Sequence, residues 1–284
     1  MKFLVLGASG MAGHTIAIFL KDQGHDVIGF ARKKLSYVKT IVGDATDFSF
    51  LKGIIISGNF DYVINAIGVL NKEAEDNKAN ALLLNGYLPH FLADLTKQMD
   101  TRIIHMSTDC VFSGKKGNYT EKSFKDGESF YDRSKAIGEL DDDKNFTLRN
   151  SIVGPDINPN GIGLLNWFMK QEETINGFTK VMWTGMTTLQ LAKMIEKVAL
   201  QRATGLYNMV PKKNISKYEL LMLFNHYLRN NELEIKPYDG ISIDKTLIRT
   251  RFEFNEVVPN YDIMVKEMAE WIKKHKELYP HYNI

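Results

Sequence analysis

Phe3-Leu4-Val5-Leu6-Gly7-Ala8-Ser9-Gly10-Met11-Ala12-Gly13 is the stretch on which the fold turns. Four apolar residues in a row read as a buried strand. From Met11 to Asp22 the spacing predicts a helix, with Ile16, Ile18, Phe19 and Leu20 available for its core face. Between them, three glycines permit a tight turn, close approach of the backbone to a diphosphate, and tight packing of helix on strand. The helix start then offers free N–H groups and partial positive charge to an anion. Strand, glycine turn and helix in this order predict a dinucleotide-binding turn, with Gly7, Ser9, Gly10, Met11, Ala12 and Gly13 as its cofactor-binding residues.

Outward from this turn, β-rich runs alternate with helical patterns. Strands are expected at 26–30, 40–42, 62–64, 102–106 and 147–150, with a helix over 84–99. Doubly buried strands joined by helices imply an α/β fold: a Rossmann-type doubly wound parallel sheet with helices on both faces. Beyond Asn150 the pattern loosens. Gly154 to Gly163 holds two prolines, three glycines and two asparagines and reads as a loop. A short helix at 164–170, a stronger one at 188–200 and a strand at 206–210 follow. The expected division is a dinucleotide-binding domain at 1–154, its sheet completed by about 180–211, with 155–179 and 212–284 forming a smaller C-terminal substrate lobe. Asp141-Asp142-Asp143 reads as a solvated helix end.

Composition narrows the function classes. The chain has 284 residues, 44% apolar and 25% charged, which excludes wholesale disorder. A formal net charge of +2 gives no default for nucleic acid or a membrane surface as partner. The single Cys110 excludes an internal disulfide and a multi-cysteine zinc site, and the seven dispersed histidines give metal catalysis no support. The first six residues mimic an export signal, but Gly7, Ser9, Gly10 and Gly13 interrupt the run, so a cytoplasmic protein is expected.

The end of the second strand bears on the choice of dinucleotide. An acid there would hold a free ribose 2′-hydroxyl. This chain has Gly29-Phe30-Ala31-Arg32-Lys33-Lys34 instead, three consecutive cations that suit a 2′-phosphate. Arg32 and Lys33 therefore favour NADPH, with NADH left open.

Met106-Ser107-Thr108-Asp109-Cys110-Val111-Phe112 follows the fifth strand, and Tyr131-Asp132-Arg133-Ser134-Lys135 opens a helical run. Tyr131 and Lys135, four apart, share one helix face and can reach a common point. With the glycine turn, Gly43-Asp44-Ala45-Thr46-Asp47 and Asn65-Ala66-Ile67-Gly68, these segments make the chain resemble the short-chain dehydrogenase/reductase superfamily in its extended, nucleotide-sugar branch. Within that branch it is most similar to the dTDP-4-dehydrorhamnose reductase family. The likeness covers residues 1 to about 155 well and the C-terminal third loosely.

The resemblance implies that Thr108 hydrogen-bonds a substrate carbonyl, Tyr131 supplies the proton and Lys135 holds the nicotinamide ribose. Asp44 and Ala45 would meet adenine, and Asn65, Ala66, Ile67 and Gly68 would border the cofactor cleft. An ammonium beside the phenol would lower the tyrosine's ordinary pKa of ~10. The C-terminal lobe would receive a nucleotide sugar, with Trp167, Lys180, Trp183, Lys245, Arg249 and Arg251 as candidates for stacking and diphosphate binding. Pairing through helices at 84–99 and 131–142 would give a homodimer.

Two departures qualify the likeness. Dehydratases of this branch place Asp-Glu after the catalytic threonine, whereas this chain has Asp109-Cys110, which argues against dehydration. A related epimerase-reductase pairs a cysteine at this offset with a histidine, but residues 155–165 contain none. Cys110 is therefore expected to be a packed apolar residue. The implied activity is NADPH-dependent reduction of a nucleotide-linked 4-keto-6-deoxy sugar in surface-polysaccharide or nucleotide-sugar biosynthesis. An epimerase and a non-catalytic NADP-binding regulatory subunit are the alternatives.

Overall fold

The computed structural model describes residues 1–282 and 284. The elements run β1 (Lys2–Leu6), α1 (Met11–Asp22), β2 (Asp26–Ala31), β3 (Lys39–Val42), α2 (Phe48–Gly58), β4 (Tyr62–Asn65), α3 (Asn71–Asp76), α4 (Lys78–Ala81), a π turn (Leu82–Tyr87), α5 (Leu88–Thr96), β5 (Arg102–Met106) and α6 (Phe130–Ile137). There follow β6 (Phe146–Arg149), β7 (Ser151–Val153), α7 (Leu164–Met169), β8 (Ile175–Trp183), β9 (Gly185–Thr187), α8 (Thr188–Gln201), β10 (Gly205–Asn208), β11 (Ile215–Ser216), α9 (Lys217–Arg229), β12 (Ile235–Asp244) and α10 (Tyr261–Lys274).

Seven parallel strands form the main sheet in the order β10-β6-β5-β4-β1-β2-β3. The chain starts in the middle, builds outward through β2 and β3, then crosses back to β4. Strand order thus reverses between β1 and β4, and the loops after their C-terminal ends diverge to opposite faces and leave a crevice. Leu4, Val5, Val63 and Ile64 are inaccessible to solvent, as expected for strands covered on both faces. One core, with Phe3, Ile16, Leu20 and Ile195, lies under α1 and α8; the other, with Leu4, Leu51, Ile55 and Leu92, lies under α2 and α5.

A smaller sheet, β11-β8-β12, and a two-stranded pair, β7-β9, stand apart from the main sheet. Of the span 180–211, only β10 joins the main sheet; residues 180–183 end β8 in the small one. Two expected helices are also different. The span 84–99 divides into the π turn and α5, and the helix opened by Tyr131 stops at Ile137 rather than near 142. Asp141 and Asp142 lie in a turn: Asp141 accepts from the Leu206 N–H and pairs with Arg251, while Asp142 accepts from the N–H groups of Lys144 and Asn145. Carboxylates that bind backbone N–H groups ahead of them favour such turns over helix. Among the described residues, no helix is long and apolar enough to cross a membrane.

Candidate active site

The glycine turn is built by close contact. Gly7 has φ +78°, a left-handed conformation that favours glycine, and the N–H groups of Gly7 and Ala8 both donate to the Phe30 carbonyl at the end of β2. A Cβ on Gly13 would lie 2.1 Å from the Gly7 carbonyl oxygen, so only glycine lets α1 start this close to β1. At Gly10 a Cβ would meet just the Gly7 oxygen, at 3.4 Å, and Gly10 borders the crevice. The backbone can therefore come close to a ligand there. This cradle fits a dinucleotide diphosphate.

The crevice has a volume of about 360 Å³. Gly10, Met11 and Ala12 form one wall and Ala66, Ile67 and Gly68, after β4, another. Thr108, Tyr131 and Lys135 line the same space, together with Cys110. Three segments distant in sequence thus converge outside the C-terminal ends of β1, β4 and β5.

Each of the three polar groups is locally fixed. Thr108 caps a single 3₁₀ turn: its hydroxyl accepts from the Cys110 N–H and donates to Asp109, each at 3.1 Å. Ser129 starts α6 with a reciprocal capping box to Asp132, which sets the helix from which Tyr131 and Lys135 project. Lys135 Nζ donates to the Met106 carbonyl at 2.6 Å. The π turn aims Asn85 at both flanks, with its side chain bonding the Val69 backbone and Ser134 of α6.

Burial governs the site's proton chemistry. It pulls the Lys135 ammonium down to about 8, opposed by the Glu139 carboxylate. It pushes the Tyr131 phenol well above the usual tyrosine range, aided by the Cys110 thiol and opposed by the Thr108 hydroxyl. The expected lowering of Tyr131 by the neighbouring ammonium is therefore not found in the protein alone, where the lysine is turned onto a carbonyl. The Cys110 thiol, raised to about 12 by burial and then by Asp109, stays neutral. It is partly exposed on the crevice wall rather than fully packed away.

Of the other expected cofactor residues, Ser9 in the turn, Arg32 and Lys33 after β2 and Asp44 after β3 are exposed, and Ala45 is buried. Asp44 is held below the usual carboxylate range by hydrogen bonds from Thr46, with a smaller contribution from the charge of Arg32. Asn65 is fully buried; its side-chain Oδ1 accepts from the Ile67 N–H, so it shapes the wall without lining the crevice.

The expected substrate residues are not brought to the crevice. Lys180 is on the small sheet, paired with Asp239. Trp183 is buried against Tyr261, with the Lys217 ammonium over its ring. Trp167, on α7, and Lys245, just after β12, lie outside the crevice lining. Arg249 is packed among Tyr207, Phe252 and Phe254 and donates to the carbonyls of Arg251 and Glu256, while Arg251 pairs with Asp141. Arg249 and Arg251 thus serve internal pairing and packing. The far wall instead comes from Leu70, Asn71, Asn150, Ser151, Ile152, Asp156, Ile162 and Gly163. The only sequence signal for that wall was the glycine- and proline-rich loop after Val153.

Comparison with known proteins adds a second line of observation. The model of the RmlD substrate binding domain family matches residues 1–252. The dTDP-4-keto-6-deoxy-D-glucose reductase of Streptomyces niveus is 24% identical over 262 residues, 88% of this chain and 87% of that protein. A hypothetical dTDP-4-dehydrorhamnose reductase from Sulfolobus tokodaii has a similar structure, with a TM-score of 0.77, 26% identity and coverage of 92% of this chain and 98% of that one. The Bacillus anthracis dTDP-4-dehydrorhamnose reductase, solved in complex with NADP, shares the fold at 19% identity, with a TM-score of 0.79 and coverage of 95% and 99%.

Proposed function

Because the chain belongs to the RmlD substrate binding domain family, we propose that it reduces a nucleotide-linked 4-keto-6-deoxy sugar with NADPH in nucleotide-sugar biosynthesis. The observation that carries this reading is the meeting of Thr108, Tyr131 and Lys135 with the glycine turn in one crevice. In the assignment, Gly7, Gly10, Met11, Ala12 and Gly13 cradle the diphosphate, and Arg32 and Lys33 face a 2′-phosphate. The reduced nicotinamide, when bound, supplies hydride.

The chain's own groups handle the charge and the proton. Reduction of a ketone leaves negative charge on the carbonyl oxygen, which hydroxyl donors stabilise. Thr108, released from Asp109, donates one hydrogen bond to that oxygen. Tyr131, kept protonated by burial, holds the proton that completes the alcohol. Lys135, charged below about pH 8, holds the ribose and offsets the phenolate left behind. A high phenol pKa suits the reductive direction, in which the tyrosine must start as an acid. Residues 1–154 would serve the cofactor and residues 155–179 and 212–284 the sugar. Pairing of two copies through the faces of α5 and α6 is part of the same proposal.

The test is NADPH oxidation against a panel of dTDP- and UDP-linked 4-keto-6-deoxy sugars. Turnover on at least one is expected, and Tyr131→Phe should lower it by about 10²- to 10⁴-fold while sparing NADPH binding. Absence of turnover on the whole panel, in protein that binds NADPH, would sink the reading.

A further inference from the structure

Residues beyond 252 lie outside the family match, yet two of them are linked by hydrogen bonds to both walls of the crevice, one through His14 and one directly to Asp156. His14, on α1 directly after the glycine turn, is fully buried. Its Nδ1 is 2.9 Å from the Gly10 carbonyl oxygen and its Nε2 is 2.7 Å from the Tyr279 hydroxyl. A carbonyl only accepts, so Nδ1 carries the proton. Burial pulls the imidazole down to about 4, so the ring is neutral and Nε2 accepts from Tyr279. Trp271 of α10 donates in turn to the Tyr279 oxygen at 3.2 Å.

Tyr282 reaches the opposite wall. Its hydroxyl accepts from the Asp156 N–H at 3.0 Å and donates to the Asn166 side-chain oxygen. Asn166 extends the bracing by donating to the carbonyls of Asn158 and Gly161. The two tyrosine rings stack at 5.8 Å between centroids. With His14 as the link to the Gly10 carbonyl, the two-ring unit thus spans to the loop that carries Asp156.

We propose that Tyr279 and Tyr282 are positioning residues for the dinucleotide, fixing the glycine turn and the loop after β7 as one rigid receptor. The proposal rests on the dinucleotide reading of the crevice. Neither hydroxyl lines the crevice itself, so both act through the groups they hold. Without the Tyr279 proton, His14 keeps only the more distant Thr15 hydroxyl, 3.4 Å from Nε2, and the imidazole brace on the Gly10 carbonyl, which adds to the helical His14 N–H bond, is loosened. Without the Tyr282 hydroxyl, the Asp156 N–H and the Asn166 oxygen lose their common partner.

Tyr279→Phe and Tyr282→Phe keep the stacked rings and remove only the hydroxyls. Fluorescence titration of NADPH, and of adenosine 2′,5′-bisphosphate as a probe lacking the diphosphate bridge, separates the outcomes, with thermal melting as a check on folding. Each variant is expected to bind NADPH about fivefold more weakly, with unchanged affinity for the bisphosphate. Unchanged NADPH affinity overturns the proposal, whatever the melting temperature. Equal weakening toward both probes also overturns it, as the mark of a general structural loss. Failure of the wild-type chain to bind either NADPH or NADH overturns the dinucleotide reading beneath it.

Discussion

Lys135 combines two demands that oppose each other: its ammonium has to be charged to work, and its burial disfavours that charge. The Met106 carbonyl and the nearby Glu139 carboxylate support the charged form, but burial prevails and brings the group to about 8. The sign of the resulting pH dependence follows directly. Below about pH 8 the ammonium is present; above it the charge is lost, far earlier than in an exposed lysine. Tyr131, raised by burial, stays protonated throughout this window. The kcat/KM of the proposed reduction is therefore expected to be level on the acid side of 8 and to fall about tenfold per pH unit above it. Lys217 is also drawn down to about 8 by burial, so the profile of a Lys217→Met enzyme serves as the control. Its alkaline limb should stay in place; disappearance of the limb would assign it to Lys217.

The glycine turn and α1 show how one element separates fold from binding. A Cβ at Gly13 meets backbone at 2.1 Å and cannot be relieved by a rotamer change, whereas one at Gly10 meets only the Gly7 oxygen at 3.4 Å, beside the crevice. Gly13→Ala is expected to push α1 off β1 and cost about 1–3 kcal/mol in urea unfolding. Gly10→Ala should leave the unfolding midpoint nearly unchanged and weaken NADPH binding at least tenfold; equal midpoints for the two variants would refute this account. The turn was legible in the sequence because its three glycines sit at fixed offsets between a strand and a helix. The Tyr131/Lys135 pair was legible for the same reason, spacing on one helix face. Elements whose geometry depends on distant partners were not. The π turn follows from where Asn85 must reach, to Val69 and Ser134. The end of α6 is met by Asn85 as well: a Cβ on Gly138 would lie 1.9 Å from its carbonyl oxygen.

Across the whole molecule, Glu139, just after α6, ties the loop after β5 to β6. Its carboxylate accepts from Ser107 at 2.6 Å, from Arg149 Nε and NH2 at 2.7 and 2.6 Å, and from Lys125 at 3.1 Å. Burial pushes this carboxyl upward, but Arg149, Ser107 and Lys125 outweigh it, and the group is held below its usual range. Removing the charge with Glu139→Gln leaves a guanidinium that is 1% exposed with only neutral partners, among them the Asn208 side chain and the Glu121 carbonyl. The expected loss is about 3–5 kcal/mol, measured by urea unfolding. A loss under about 1 kcal/mol would mean that Arg149 finds other partners. The charge at residue 139 is printed in the sequence, but its partners 107, 125 and 149 are set by the sheet. The same reason explains the cations of the C-terminal segment. Arg249 and Arg251 looked free for a diphosphate until packing gave them Glu256, Asp141 and a cluster of rings.

The contact between His14 and Tyr279 joins positions 265 apart in the chain. On the ribosome, the strands around β1 can assemble long before Tyr279 has been synthesised. On the proposal above, the nascent chain would carry a less firmly braced glycine turn until the segment around Tyr279 docks. Bracing of the pocket would thereby wait on a segment made more than 260 residues after the turn it holds, and chains lacking that segment would compete poorly for the cofactor.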